Sequence, residues 1–449
     1  MGNSYLVSKS DADVQMLEIY PNTYNKFTCA HCNSQHLKII DSVFLGKTIL
    51  AECECNHCRF TYYHTFPTGH YLWFPISFAQ NEARYHSRSK IWLAKPLLDS
   101  FLNEKKIYPE IKKEVYKKFD QAILLNCLDS CYGHVFHKMF NALLHLKNQP
   151  AFGLILLIPK SFLWLVPDGV AEIWYVDTPI KNLNSWIAPL DDFVKQELKR
   201  FEKVYLSLAF THLESTNLDL ATFTKTQKFE LEKFDELPPT ITFICREDRV
   251  WLNNPLENFI FLAAIKFNLL PYFRKYFVFR QNQLYAKTAR KIAQRIKNAR
   301  FYAVGLSKTG SLGKHITDHR HEVGEITEAR EKEWCTLYAQ SHIVIGIHGS
   351  NMIIPSSLSA GFIELLPRYK IPHLTEDVAP SYPGRYRHFL GRFLDQFSST
   401  RLLTLHAISM LSDFRYFYVN TEEKYTQPQM LDDVDILYGP YIYRGSNQK

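Results

Sequence analysis

Short apolar runs bounded by turn formers recur along this chain, alternating with segments whose apolar positions fall three or four apart. The first pattern predicts strands buried on both faces of a parallel sheet, the second the helices that cover them. The clearest run is Ile343-Val344-Ile345-Gly346-Ile347, which stops at His348-Gly349 and is followed by the small residues Ser350 and Asn351. That order predicts a strand ending in a tight turn that opens a helix. Phe362-Ile363-Glu364-Leu365-Leu366-Pro367 predicts the next strand.

The same alternation extends in both directions. Strands are expected at 152–159, 163–167, 172–176 and 203–208, with a helix at 190–201. Ile111, Val115, Phe119 and Ile123 at i, i+4 spacing predict a Lys-rich amphipathic helix over 108–125, and Gly133-His134 opens another. Beyond a polar stretch at 212–238 ending in Pro238-Pro239, strands are expected at 240–245, 276–279 and 301–305, with helices at 256–270, 283–297 and 327–340. The fold class that follows is α/β, with two Rossmann-like lobes behind a small amino-terminal module. The expected divisions are residues 1–70, an amino-terminal lobe at 71–238, a carboxyl-terminal lobe at 239–380, and a helical tail at 381–449 whose last residues, Arg444 to Lys449, form a flexible end.

Length and composition narrow the class. A chain of 449 residues exceeds what one hydrophobic core organises, and 46% hydrophobic with 22% charged residues is the balance of a water-facing globular protein rather than a disordered one. No apolar run reaches the roughly 18 residues that span a bilayer, and the first residues lack a secretory layout. A cytoplasmic location is expected, with peripheral membrane contact left open. The net charge of +8 is dispersed, which suits a polyanionic ligand but not a nucleic-acid groove.

Nine cysteines, five of them within thirty residues, point to thiols and a metal site rather than a disulfide framework. Cys29-x-x-Cys32 and Cys55-x-x-Cys58 each present two thiolates from one tight turn, the arrangement tetrahedral Zn²⁺ takes. A structural zinc ribbon with all four positions filled by protein is expected, Cys53, His31 and His57 being spare.

Two further places carry candidate chemistry. Strand carboxyl ends are where α/β sheets bind ligands, so the backbone N–H groups of Gly349, Ser350 and Asn351, together with His348, are candidate phosphate contacts. Arg246 and Arg249 emerge at the end of the 240–245 strand and can face the same phosphates. His134, on the first turn of its helix, is a candidate general base, with Asp129 and His137 as alternates.

Tyr132-Gly133-His134 at a helix start, Ile343-Val344-x-Gly346-x-His348-Gly349-Ser350, and Ile363-Glu364-Leu365 together resemble glycosyltransferase family 61. That family carries a Tyr-Tyr-His-Trp segment in its first lobe and Gly-x-His-Gly-Ala-Gly followed by Val-Glu-Leu in its second. The resemblance spans residues 120–370 and implies a GT-B enzyme with a UDP-linked sugar donor in the second lobe and inverting transfer to an acceptor hydroxyl without an obligatory divalent metal. It implies roles for His134, Arg246, His348, Gly349 and Glu364, the last on a ribose or sugar hydroxyl. The chain departs from the family at Lys138, where an acid is expected, at Asn351, where a glycine is expected, and in a shorter interval from His348 to Glu364. The alternative, favoured by Lys138, is a non-enzymatic scaffold that binds nucleic acid or protein through the ribbon and a degenerate GT-B fold.

Overall fold

The computed structural model describes residues 16–23, 27–79, 82–211, 219–324, 326–374, 376–379 and 390–414. The expected flexible end at Arg444 to Lys449 lies outside them. The fold is mixed α/β, and the chain divides into two units, Met1–Lys225 and Thr226–Lys449.

In the first unit, strand β1 (Met16–Tyr20) precedes an antiparallel sheet of β2 (Leu37–Phe44), β3 (Ile49–Cys55), β4 (Thr61–Thr65), β5 (Ile76–Ala79) and β6 (Glu82–Tyr85) in that spatial order. This sheet runs past residue 70, and Phe44, Ile49 and Tyr62 share one core with Leu124, Ile155 and Trp174 of the larger sheet. The cysteine-bearing strand β3 and the turn at Cys29 are therefore built into the first unit rather than appended to it. Helix α1 (Lys95–Phe101), β7 (Lys106–Ile107), β8 (Glu110–Val115) and β9 (Gln121–Asn126) follow, then α2 (Tyr132–Met139), α3 (Asn141–Asn148), β10 (Gly153–Pro159), β11 (Glu172–Asp177), β12 (Trp186–Ile187), α4 (Leu190–Leu198), β13 (Lys203–Ser207) and the short α5 (Ala221–Thr224). The larger sheet has the order β1-β13-β9-β10-β11-β8, its four central strands parallel and both edges antiparallel.

Residues 108–125 are not a helix but the strands β8 and β9. Strand β8 lies at the sheet edge, where Lys112 pairs with Glu110 and Lys113 with Glu197, so charges on both faces hide its alternation. Residues 160–165 form a 3-10 helix rather than a strand, beginning directly after Pro159.

The second unit holds β14 (Thr240–Ile244), α6 (Pro255–Lys266), α7 (Leu270–Ala293), β15 (Arg300–Val304), β16 (Thr317–Asp318), α8 (Glu328–Ala339), β17 (Ile343–Ile347), α9 (Ile353–Leu358), β18 (Gly361–Leu366), β19 (Gly391–Asp395) and α10 (Thr400–Ser412). Every strand pair is parallel, in the order β16-β15-β14-β17-β18-β19. Counted within the unit this is 3-2-1-4-5-6, the doubly wound order with its switch point between β14 and β17. Ile241, Phe243, Ile343, Ile345 and Ile363 from the central strands are fully buried in its core.

Residues 276–279 lie inside the single helix α7, not in a strand, although their aromatic side chains have strand propensity. The region from 381 is more than a helical tail, since β19 extends the sheet and α10 supplies Leu403, Ala407 and Met410 to its core. Among the described residues no helix is long and apolar enough to cross a membrane.

Candidate functional site

Three clusters carry chemistry. The first is the four-cysteine group. Cys29 and Cys58 Sγ are 3.7 Å apart, Cys32 and Cys55 Sγ 3.6 Å, and all four sulfurs lie within 4.8 Å of one another. A tetrahedron with Zn–S bonds of about 2.3 Å has edges of about 3.8 Å, so this donor set can hold a metal such as zinc. Backbone N–H groups of His31 and Cys32 point at Cys29 Sγ and that of Cys58 at Cys55 Sγ, as thiolate ligands require. Cys53 is buried and directs its thiol to the Ala51 carbonyl, while His31 and His57 are exposed.

The second cluster lies at the carboxyl end of β9, the switch point of the first unit's parallel strands. Asp129 is buried and its Oδ1 accepts from the Cys131 N–H at 3.2 Å, closing an Asx turn just ahead of α2. His134 Nδ1 lies 3.2 Å from the same oxygen, and Lys138 Nζ donates to Oδ2 at 3.1 Å and to the Leu128 carbonyl at 2.9 Å. Burial alone would raise the Asp129 pKa, but the Lys138 charge, the His134 hydrogen bond and nearby Lys47 hold it well below the carboxylate range. Gly69 packs so closely that a Cβ there would meet Lys138 Cε at 2.9 Å, and its N–H donates to the Leu208 carbonyl beyond β13. His70, next in the chain, sets its ring 4.3 Å from that of His134, with Trp92 4.8 Å beyond. His70, Asp129 and His134 have the ligand types of a metal triad. Two buried lysines already supply the positive charge around this carboxylate, so a metal is not needed to balance it. His137, the alternate base, is buried with its ring against Phe140 at 5.5 Å.

The third cluster is at the switch point of the second unit. Ile244 and Gly346 are in register, so the residues after β14 and β17 face each other. Arg246 donates from Nη1 to Asn351 Oδ1 at 2.6 Å and forms a two-pronged pair with Asp248, whose carboxyl pKa would rise by burial but is held low by that guanidinium. Arg249 Nη1 donates to the His348 carbonyl at 2.5 Å. Gly349 sits between the two, at φ 153°, and a Cβ on it would lie 2.7 Å from Arg246 Nη1 and 2.9 Å from Arg249 Nη1. Two guanidinium groups thus converge on a stretch of backbone bare of side chain. Asn351 Nδ2, in the same place, is buried and has no hydrogen-bond partner among the described residues.

No protein-family model matches the chain, and no curated protein or solved structure matches it.

Two of the expected ligand contacts, His348 and Glu364, lie in the core beneath this turn. His348 is fully buried, its Nδ1 bonded to Glu364 Oε2 and its Nε2 3.3 Å from Asp377 Oδ2. Burial lowers its pKa to about 4 and raises that of Glu364 well above the carboxylate range. Both side chains are fully buried and bonded to each other rather than open to a ligand. Both instead brace β17 against β18. The helix after the turn is also shorter than expected, with a 3-10 turn at Ser350–Met352 leading into the six residues of α9, so the positive potential here comes from the arginines.

Beside Arg249, a shallow concavity of about 60 Å³ runs along the ends of β17, β18 and β19. Trp251, Phe261, Ile347 and Tyr369 make it apolar, with Asn258 and Gln396 as polar groups. Asp377, Asp248 and His70 carry no motif in the sequence and join these clusters only through the fold.

Proposed function

We propose that this chain is a glycosyltransferase of GT-B type, in which the second unit binds a nucleotide-sugar donor, UDP-linked in the family it resembles. The first unit supplies the base, and the four cysteines form a structural zinc ribbon. The observation that carries the proposal is the convergence of Arg246 and Arg249 on Gly349 at the switch point. Two guanidinium groups over bare backbone, with the unpartnered Asn351 Nδ2 beside them, suit a diphosphate. The adjoining shallow concavity is lined by apolar side chains with few polar groups, a surface on which a base can rest.

In an inverting transfer the base removes the acceptor hydroxyl proton as that oxygen bonds to the sugar's anomeric carbon, and the bond from that carbon to the diphosphate breaks. Arg246 and Arg249 stabilise the charge that accumulates on the leaving diphosphate, the role a divalent metal fills elsewhere. His134 is the base. Its Nδ1 bond to Asp129 leaves Nε2 to accept the proton, and Asp129 stabilises the imidazolium that results. Lys138, which stands where the resembling family has an acid, orients the Asp129 carboxylate that takes over that part.

The test is nucleotide release from a panel of nucleotide sugars in the presence of sugar acceptors. Acceptor-dependent release by the wild type, reduced at least about a hundredfold in His134→Ala with donor binding retained, is expected. Equal release by the variant would move the base elsewhere, and failure to bind any nucleotide sugar would overturn the donor assignment.

A further inference from the structure

The hairpin of α6 and α7 turns an apolar surface to solvent that its own fold does not need. Phe261, Ala264, Phe277 and Val278 on the inner faces pack with Val250 and Leu252 into a small core of the hairpin's own. On the outer faces and at the connecting turn, Phe259, Ile260, Phe267, Leu269, Tyr272 and Phe273 are between 44% and 81% exposed. Isolated exposed apolar side chains are ordinary, but a contiguous group at the tip of one hairpin marks an interaction surface.

Charge says what covers it. Residues 254–280 contain four basic side chains, Lys266, Arg274, Lys275 and Arg280, and a single acid, Glu257. That acid is already bonded to Arg280 at 3.0 Å. Lys266 and Lys275 are exposed and flank the apolar tip, with Arg274 half-buried beside them. A second copy of the chain set symmetrically on this surface would oppose these cations to one another with no acid left to answer them. Aromatic and aliphatic side chains ringed by lysine and arginine are the composition of helices that lie in the interface of an anionic membrane.

We propose that the α6–α7 hairpin docks on the surface of an anionic lipid bilayer. Phe267, Leu269, Tyr272 and Phe273 enter the boundary between headgroups and acyl chains, and Lys266 and Lys275 meet the lipid phosphates. The hairpin rests on the bilayer and does not span it. Leu262 of α6 both faces outward, 49% exposed, and lines the concavity beside Arg249, so docking sets that concavity at the membrane surface.

Co-sedimentation of the full chain with vesicles of phosphatidylcholine, alone or with about a third phosphatidylserine, tests this. Binding is expected to the mixed vesicles, with affinity falling about fivefold for each lysine replaced in Lys266→Gln and Lys275→Gln. Phe267→Asp with Tyr272→Asp is expected to abolish binding with thermal unfolding unchanged, since both side chains are exposed. A fluorophore on Leu269→Cys, shifting to the blue on mixed vesicles, reports insertion independently of those variants. No sedimentation with mixed vesicles would overturn the proposal, as would binding indifferent to these substitutions. A dimer in solution that Phe267→Asp dissociates would overturn it in favour of a second copy.

Discussion

Arg246 Nη1 donates to Asn351 Oδ1 at 2.6 Å, joining the end of β14 to the turn after β17 across the switch point of the second unit. The Asn351 amide has a definite part at this turn. It aims one of the two arginines at Gly349, so the geometry of this turn is the chain's own. The first unit repeats the placement, since Asp129 and His134 follow β9 at the switch point of its parallel strands.

Gly349 is where this geometry tolerates least change. Its φ of 153° disfavours a side chain, and an alanine methyl would displace both guanidinium groups. Gly349→Ala is expected to weaken nucleotide-diphosphate binding about tenfold or more, the strain at such a position being about 1–3 kcal/mol. That strain should also lower the thermal midpoint by a few degrees, and calorimetric titration with UDP beside a melting curve checks both parts.

Around Asp129 the expectation is asymmetric. Removing the Lys138 charge leaves a buried carboxylate with only Lys47 and His134 as compensation, so Lys138→Met is expected to cost about 3 kcal/mol in denaturant unfolding. Asp129→Asn together with Lys138→Met removes the charge from both sides and should recover most of that loss. A double variant no more stable than Lys138→Met would show that the pair is not the source of the cost.

The four cysteines are expected to bind about one zinc per chain, measured by elemental analysis of protein purified without chelator. Because Cys29 and Cys55 share a core with the parallel sheet, Cys29→Ser or chelation should lower the thermal midpoint of the whole first unit. Melting unchanged by zinc removal would restrict the metal to a peripheral role.

Acid should weaken the second unit through His348. Its pKa is lowered in the fold from the usual 6.5 to about 4, so its contribution is complete above pH 6.5 and lost as pH falls toward 4. At pH 5 the loss is about 2 kcal/mol. Glu364 has the opposite sign, for its raised pKa makes its contribution greatest at acid pH and smaller as pH rises. Unfolding measured at pH 7.5 and pH 5 should therefore separate them, with the gap between wild type and His348→Gln narrowing at pH 5. Glu364→Gln should be relatively more stable than wild type as pH rises toward 8.

What could be read from the sequence is what is local. The β-branched run of β17, the turn at Gly349, the arginines after β14 and the paired cysteines each depend on a few neighbouring residues. The edge strand β8 could not be distinguished from a helix because Lys112 and Lys113 obscure its period, and the aromatic run inside α7 resembles a strand because its outer face is apolar where a helix facing water is usually polar. The direction in which a side chain faces is not local either. His348 turns inward because Glu364 and Asp377, 16 and 29 residues further on, receive it there, and His70 reaches His134 from the segment before β5.

The most direct measurement is calorimetric titration of the wild type, Arg246→Ala, Arg249→Ala and the double variant with UDP and UDP-sugars. Charge-assisted hydrogen bonds of this kind are worth about 1.5–3 kcal/mol, so each single variant should bind at least about tenfold more weakly and the double variant should show no saturable binding. Binding that is unaltered in the double variant, or no binding by the wild type to any nucleotide diphosphate, would contradict the assignment of this switch point as the donor site.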